Sequence, residues 1–422
     1  MHRAAFGHGR CRAAGWAARA AGVALVAALL SAPGASAQEL LPAGPVRVLD
    51  GRVVLGGEIT ATAGRSDDVA FFNYTDYEHN ALRTFGATLS GVWRPTPRVA
   101  FIGEVRSEDF EHVRPYAAYV RVRPWATRRF DIQAGRIPPV FGAFGRRAYT
   151  TDNPLVGYPL GYQYLTSLRP DAAPLSVDDI LRMRGRGWQS SFPVGNETPA
   201  PGVPLVTAFR WDTGIQAQWD SDRFAVAAAV TAGTLSNPRL LDDNDGRQVS
   251  ARILARPIAG LVAGLSAARG AWLARDVLSL VPASASQQDY GQHALGMDVE
   301  YSRAHWLVRS EVVWTRWHIP LVATGERQPL SAAAWSLEGR YRFHPRIFAA
   351  ARVDTLGFSR VAGSLFDGRP TTWDAPVTRV EVGGGYYLQR NVTARATLQY
   401  NSRDGGRVQH RTFVTAQLAY WF

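Results

Sequence analysis

Lysine is missing from all 422 residues, so each of the 47 basic side chains is an arginine. Cysteine is nearly missing, with Cys11 the single one. No run of 18 apolar residues occurs anywhere in the chain. That last absence excludes a membrane-spanning helix, which needs about 20 apolar residues in succession. The second removes disulfides, thiolate metal sites and a cysteine nucleophile, because Cys11 lies in a segment that reads as an export leader. Arg3, Arg10, Arg12 and Arg19 give that segment a basic start, Ala20 to Leu30 an apolar run, and Ala35-Ser36-Ala37 a cleavage site. Residues 1–37 are therefore expected to be removed. The formal charge of +12 then falls by four arginines to about +8. An exported chain rarely meets nucleic acid, so this basic balance predicts no nucleic-acid partner.

What the chain does have is alternation with a period of two. Phe85, Ala87, Leu89, Gly91 and Trp93 alternate with Gly86, Thr88 and Ser90, and Trp306, Val308, Ser310, Val312 and Trp314 alternate with Arg309 and Glu311. We count sixteen such segments, starting near residues 52, 80, 98, 112, 129, 205, 222, 247, 260, 291, 304, 331, 346, 376, 391 and 408. Their apolar faces are light, rich in Ala, Gly and Val, with Trp, Tyr or Phe near strand ends. Such a face suits lipid better than a second packed sheet, and end-placed aromatics suit the two interfaces of a bilayer. Tight connections at 94–97, 124–128, 220–222, 256–260, 302–304, 344–346 and 389–391 alternate with longer ones at 65–79, 137–204, 235–246, 273–289, 318–330 and 359–375. Short exceptions fall at 107–111 and 402–407. An even count with short turns on one side is the pattern of an all-β fold, a transmembrane antiparallel barrel of the outer membrane, here over residues 38–422. The closing segment FVTAQLAYWF, Phe413 to Phe422, must then pair with the first strand, which leaves no open edge. An extra hairpin between 186–194 and part of 203–210 would raise the count to eighteen.

Sixteen strands enclose a lumen too wide for wall side chains to fill. The 137–204 connection, far longer than ordinary loops, is expected to fold inward and narrow it. Within it, Ser176 to Asp179 has capping-box spacing and predicts a short helix through Met183. The candidate constriction residues are Arg136, Arg146, Arg147, Arg169, Arg182 and Arg184, with the aromatics Tyr158 and Tyr162. Alternation puts Arg106, Arg121, Arg123, Arg210, Arg252, Arg309, Arg340 and Arg352 on the inner wall, together with Glu104 and Glu311. Glu58, Arg379, Glu381 and Arg395 also read as inward. Opposite charges two apart, as in Glu104/Arg106, Arg309/Glu311 and Arg379/Glu381, are expected to form solvated ladders that largely cancel. The excess is basic, and rings of arginine favour anions.

AGRIPPVFGAFG, Ala134 to Gly145, resembles the G-[RK]-x-x-x-P-F-G stretch that opens the long constriction loop of the phosphate-selective porin O and P family. RWDTGIQAQW (Arg210 to Trp219), followed by FAVAAAVTAG (Phe224 to Gly233), is similar to that family's R-x-x-G-x-Q … A-V-x-N-G hairpin. Val140 stands where the motif has proline and Ala232 where it has asparagine, and the lysines of that family's constriction have no counterpart. The resemblance implies a sixteen-stranded outer-membrane porin, often a homotrimer, with a basic loop folded inward. It would pass small hydrophilic solutes, weakly preferring anions, with phosphate among them. In outer-membrane barrels a terminal aromatic strand resembles the signal read by the barrel-assembly machinery, a role that would fall to Tyr420 and Phe422. Outer-membrane lipid and lipopolysaccharide complete the expected partners.

Catalysis is not expected. The histidines beyond the leader, His79, His112, His293, His305, His318, His344 and His410, are scattered singly, with no serine and acid at a shared strand position. Asp242 to Gly246 has the carboxylate density of a calcium loop but lacks its spacing and closing glutamate, so neither metal nor other cofactor is expected. Two alternatives to a general anion-preferring porin stand beside it. One is a channel for sugars or carboxylates, with Tyr158, Tyr162 and Trp188 as a stacking path. The other is a plugged structural or adhesive barrel without conductance.

Overall fold

The alternating segments become the staves of one closed sheet. The computed structural model describes residues 42, 44–65, 67, 72–73, 85–108, 112–208, 210–239, 246–281, 289–406 and 408–422. The export leader, His79, Arg83 and the acidic run Asp242 to Asp245 lie outside the described residues. The first eight barrel strands are β1 (Val53–Gly64), β2 (Phe85–Thr96), β3 (Val99–Glu108), β4 (His112–Val122), β5 (Phe130–Ile137), β6 (Asp212–Asp220), β7 (Phe224–Thr231) and β8 (Gln248–Ala255). The other eight are β9 (Leu261–Ala271), β10 (Gly291–Arg303), β11 (Trp306–Leu321), β12 (Glu326–His344), β13 (Ile347–Phe358), β14 (Val377–Gln389), β15 (Val392–Arg403) and β16 (His410–Trp421).

Every neighbour pair is antiparallel, including β5 with β6 across the longest connection, where Phe130 faces Trp219 and Ile137 faces Asp212. The ring closes where β1 meets β16, from Glu58 opposite Trp421 to Gly64 opposite Thr415. The ladder runs to the last residue: Phe422 N donates to Gly57 O at 3.0 Å and Gly57 N to Phe422 O at 3.1 Å. A Cβ on Gly57 would lie 2.6 Å from the Phe422 ring, so the glycine lets that ring lie against the first strand. The terminal apolar strand therefore ends inside a hydrogen-bonded seam.

The barrel is apolar outside and charged inside. Leu89, Ile215 and Leu265 are exposed on the outer face, while Arg352, Arg379 and Glu381 are buried within. Large exposed aliphatic side chains on strand after strand need an apolar solvent, which a bilayer supplies. Trp93, Trp219, Phe224, Trp306 and Phe343 gather at the short-turn end as an interfacial girdle. The apolar core lies where the long connection packs against the inner wall, with Phe141, Phe144, Leu160 and Leu205 meeting Trp317, Leu330 and Leu356.

Two expectations are corrected here. The connection expected at 318–330 shrinks to residues 322–325, because β11 and β12 continue pairing to Leu321 opposite Glu326. Pro320 and Pro329 mask the alternation in the sequence. Both lie beyond the last residues paired to the outer neighbours, Trp317 on β11 and Ala332 on β12, at an edge where proline is tolerated. The extra hairpin does not form, and the wall has sixteen strands. Gly187–Gln189 is instead a turn of 3-10 helix, Ser190 makes one isolated bridge to Ala200, and Val194–Gly195 pairs with Ala172–Ala173 inside the connection.

Candidate functional site

Residues 138–211, between β5 and β6, cross the inside of the barrel, and their path follows from how their backbone is satisfied. Little of it sits in regular structure, so side chains of the wall supply the missing partners. Gly142 N donates to Ser266 Oγ of β9 at 3.1 Å and Ala143 N to Glu311 Oε1 of β11 at 2.7 Å. Thr150 N donates to Glu58 Oε2 of β1 at 3.0 Å, as does its hydroxyl, and Gly157 N donates to Glu381 Oε1 of β14 at 3.0 Å. Arginines supply the opposite polarity. Arg309 Nη1 donates to Asp152 O at 2.6 Å, Arg352 Nη2 to Gly157 O at 2.7 Å, Arg379 Nη1 to Tyr158 O at 2.9 Å, and Arg395 to Asn153 O.

These wall charges are buried by the loop they hold. Arg352 sits among Glu338 at 3.2 Å, Asp354 at 3.2 Å and Glu381 at 2.7 Å. Of the expected solvated ladders, Glu104/Arg106 forms, at 2.7 Å. Arg309 turns away from Glu311 to Glu300 at 2.9 Å and Glu338 at 3.4 Å, and Arg379 Nε donates to Asn401 Oδ1 at 2.7 Å instead of meeting Glu381. Glu311 and Glu381 are instead engaged by backbone amides of the crossing loop, and Arg309 and Arg379 take partners on neighbouring strands and on that loop.

Water-facing groups sit around residues 146–152. Arg106 of β3 is held flat, its Cζ 3.3 Å from the Tyr116 ring centroid and 4.7 Å from that of Tyr149, whose hydroxyl donates to Glu104 Oε2 at 2.9 Å. A bulge in β4, with Glu104 and Val105 opposite Ala117 and Pro115, accommodates Tyr116, whose hydroxyl donates to Ala208 O at 2.7 Å. Between loop and wall, Glu58, Thr88, Arg106, Tyr149, Thr150 and Arg395 line a cavity of about 120 Å³. Arg146 is exposed although strands surround it, and its Nε donates to Pro139 O at 3.2 Å. Desolvation by the surrounding wall, then Arg252 of β8, lowers its pKa, while Tyr119 of β4 acts the other way. Arg147 pairs with Glu300 at 3.0 Å.

The other sequence-derived candidates divide by position. Arg121 of β4 is half-buried and acts on the Tyr119 phenol, as Arg146 does. Arg123 makes two bonds to Asp131, at 2.9 and 3.1 Å, near the short-turn end. Arg252 is bound to Ser266 at 2.9 Å and Asp298 at 2.8 Å, and Arg340 is half-buried on β12. Arg136 belongs to β5 rather than to the loop, and Arg210 lines a 290 Å³ cavity with Arg169 and Asp171.

Arg169, Arg182 and Arg184 hold loops together instead of joining the constriction group. Arg169 is buried against Asp171 at 2.7 Å and the carbonyls of Ser190 and Thr198 at 3.0 and 2.6 Å. Although burial acts to raise the Asp171 pKa, the Arg169 guanidinium and Asn196 amide hold it below its ordinary value. Arg182 pairs with Asp179 at 2.7 Å on the short helix Val177–Arg182, whose capping box forms as its spacing predicts. Arg184 binds Thr372 Oγ1 at 3.1 Å and Asp404 at 3.2 Å. Tyr162 is buried with its hydroxyl 2.6 Å from Glu311 Oε1, and the Tyr158 hydroxyl donates to Ala148 O at 3.0 Å. Both rings pack on Phe144, Tyr162 fully buried and Tyr158 half-buried.

One anchor had no sequence signal. Asp374, between β13 and β14, accepts from Ser167 N and Gly185 N, each at 2.7 Å, and burial raises its pKa.

A closed sixteen-strand wall, an apolar outer belt and a loop folded across a polar lumen define the porin-type barrel. No protein-family model and no curated protein matches the sequence. Among solved structures, the fold is similar to an anion-selective porin from Comamonas acidovorans, at 10% identity and a TM-score of 0.52, covering 88% of this chain and 99% of that one. It is also similar to OmpF of Salmonella typhi, at 10% identity and 0.51, covering 88% and 97%. The outer membrane channel DcaP of Acinetobacter baumannii aligns at 9% identity and 0.50, covering 90% and 100%.

Proposed function

We propose that this chain is an outer-membrane channel for passive diffusion of small hydrophilic solutes, weakly preferring anions. Arg146 is the observation that carries the reading. Its side chain is solvent-accessible within the closed wall, yet the surrounding protein desolvates its charge, and a second arginine, Arg252, acts in the same direction. Such a group offers a passing anion fixed donors in exchange for lost hydration. Arg121 extends the same basic lining from β4. Inorganic phosphate is one candidate anion, supported by the resemblance of Ala134 to Gly145 to the porin O and P loop, with guanidinium replacing lysine.

The apolar outer belt supports an outer-membrane location, reached by a chain whose leader is cleaved after Ala37 and whose terminal Tyr420 and Phe422 engage the barrel-assembly machinery. A homotrimer belongs to the same reading; OmpT of Vibrio cholerae in its trimer form shares the fold at 10% identity and a TM-score of 0.51. The role is non-catalytic.

A second reading, an occluded barrel, draws on the loop's bonds to β1, β9, β11 and β13 to β15. Single-channel current across a planar bilayer with a salt gradient separates the two. Steady conductance with an anion-directed reversal potential supports the channel. A folded, inserted barrel without current overturns it in favour of the occluded form.

A further inference from the structure

The apolar belt gives way to a basic row on β9, β10 and β11. Arg269 of β9, His293 of β10 and Arg316 of β11 stand directly opposite one another in a single row across three strands. Alternation points them outward, since Gln292 and Trp317 beside them are buried inside. Arg269 and Arg316 are exposed and flank the His293 ring on either side, with the His318 ring beside it. Arg316 Nε donates to Ser331 Oγ at 3.1 Å, and its Cζ lies 5.1 Å from the Trp314 ring centroid. The His293 and His318 rings stand edge to face, 5.5 Å apart. Two exposed guanidiniums with an imidazole between them offer several N–H donors to one anion seated across the row.

Depth and neighbours decide which anion. The next outward row is Ala267, Leu295 and Trp314, and the one after it Leu265, Met297 and Val312. The apolar surface thus begins immediately below the basic row. Ten residues along β10, Arg303 lies opposite Trp306, in the aromatic girdle of the short-turn end. Ten strand residues tilted by about 40° span roughly 25 Å, the height of a barrel's apolar band. Arg269, His293 and Arg316 therefore sit at headgroup depth on the long-loop side.

We propose that this row seats a phosphate of a phosphorylated, acylated glycolipid headgroup in the outer leaflet, with acyl chains lying on Leu295 and Trp314. The inference rests on the outer-membrane location proposed above. Its probe is lipid A added to the detergent-solubilised full barrel and followed by native mass spectrometry, beside a dephosphorylated lipid A. Lipid A retention is expected to fall roughly tenfold in R269A/R316A and to recover largely in R269K/R316K. The dephosphorylated lipid should bind all three alike. Equal retention by wild type and R269A/R316A, or no preference for the phosphorylated lipid, overturns the site. Full displacement by equimolar inorganic phosphate would make the row a simple anion site and likewise overturn the lipid assignment. Heat-modifiable migration and insertion into phosphatidylcholine vesicles are read in parallel. A folded barrel that refuses every bilayer would defeat the membrane reading, whereas one that inserts without binding lipid A defeats the row alone.

Discussion

The two sides of the barrel wall use arginine in opposite ways. On β11, β13, β14 and β15, Arg309, Arg352, Arg379 and Arg395 reach inward and grip carbonyls of the crossing loop. On the β4 to β8 side the loop's entry is held by apolar contact, with Val140 among Ile137 and Ala229, and the solvent-accessible Arg146 and half-buried Arg121 lie near Tyr119. One side is an anchor made of desolvated charge, and the other is a lining. A charge count along the wall therefore says little about permeation. A buried guanidinium surrounded by carboxylates presents no field to a passing ion, whereas an exposed one with cationic neighbours does.

The comparison breaks most visibly at Arg352. Arg352→Met leaves Glu338, Asp354 and Glu381 buried without their shared cation, which should cost about 3–5 kcal/mol of stability. Thermal unfolding, followed by loss of heat-modifiable migration, measures it; an unchanged melting temperature would show that this side is no anchor. Arg146→Ala should do the reverse, leaving stability within about 0.5 kcal/mol. Its anion-over-cation permeability ratio should fall roughly twofold, and Arg146→Glu should turn the preference toward cations, both read from reversal potentials. Should Arg146→Ala leave the ratio intact, the lining is elsewhere.

A smaller effect tests the loop's own construction. Ser176→Ala removes one half of the capping box and should cost about 1 kcal/mol locally. Hydrogen exchange at the amides of 177–183 should quicken while the barrel's melting temperature stays put. The smallest effect concerns pH. Burial pushes the Asp67 pKa up to about 7, although its carboxylate accepts from Asn73 N at 2.7 Å. A folded value above the unfolded one means that Asp67's contribution is complete below about pH 4 and is lost as pH rises through 7. The melting temperature should therefore fall slightly between pH 5 and 8, and Asp67→Asn should flatten that fall.

The barrel was legible because its information is local. Alternation needs only the next two residues, so Phe85 to Trp93 and Trp306 to Trp314 announce their strands without knowledge of anything distant. The spacing of Ser176 and Asp179 likewise carries its helix start within four residues. Legibility failed where prolines 320 and 329 interrupted the pattern of a hairpin whose register its neighbours do not set. The candidate site was legible as a set of inward positions and as one long connection, but not as roles. Arg169, Arg182 and Arg184 looked like Arg146 in the sequence, yet their partners are Asp171, Asp179 and Asp404, which hold loops rather than face the lumen.

By itself, then, the sequence determined the architecture: sixteen staves, the alternation that turns them inside out, and a terminal strand that must close on the first. The tertiary structure alone decided which charges are buried and which meet water. Arg352 meets Gly157 O across 195 residues and Arg379 meets Tyr158 O across 221, contacts that no local pattern encodes. A guanidinium's function depends on its desolvation and its partners, and both arise only when the loop is folded against the wall.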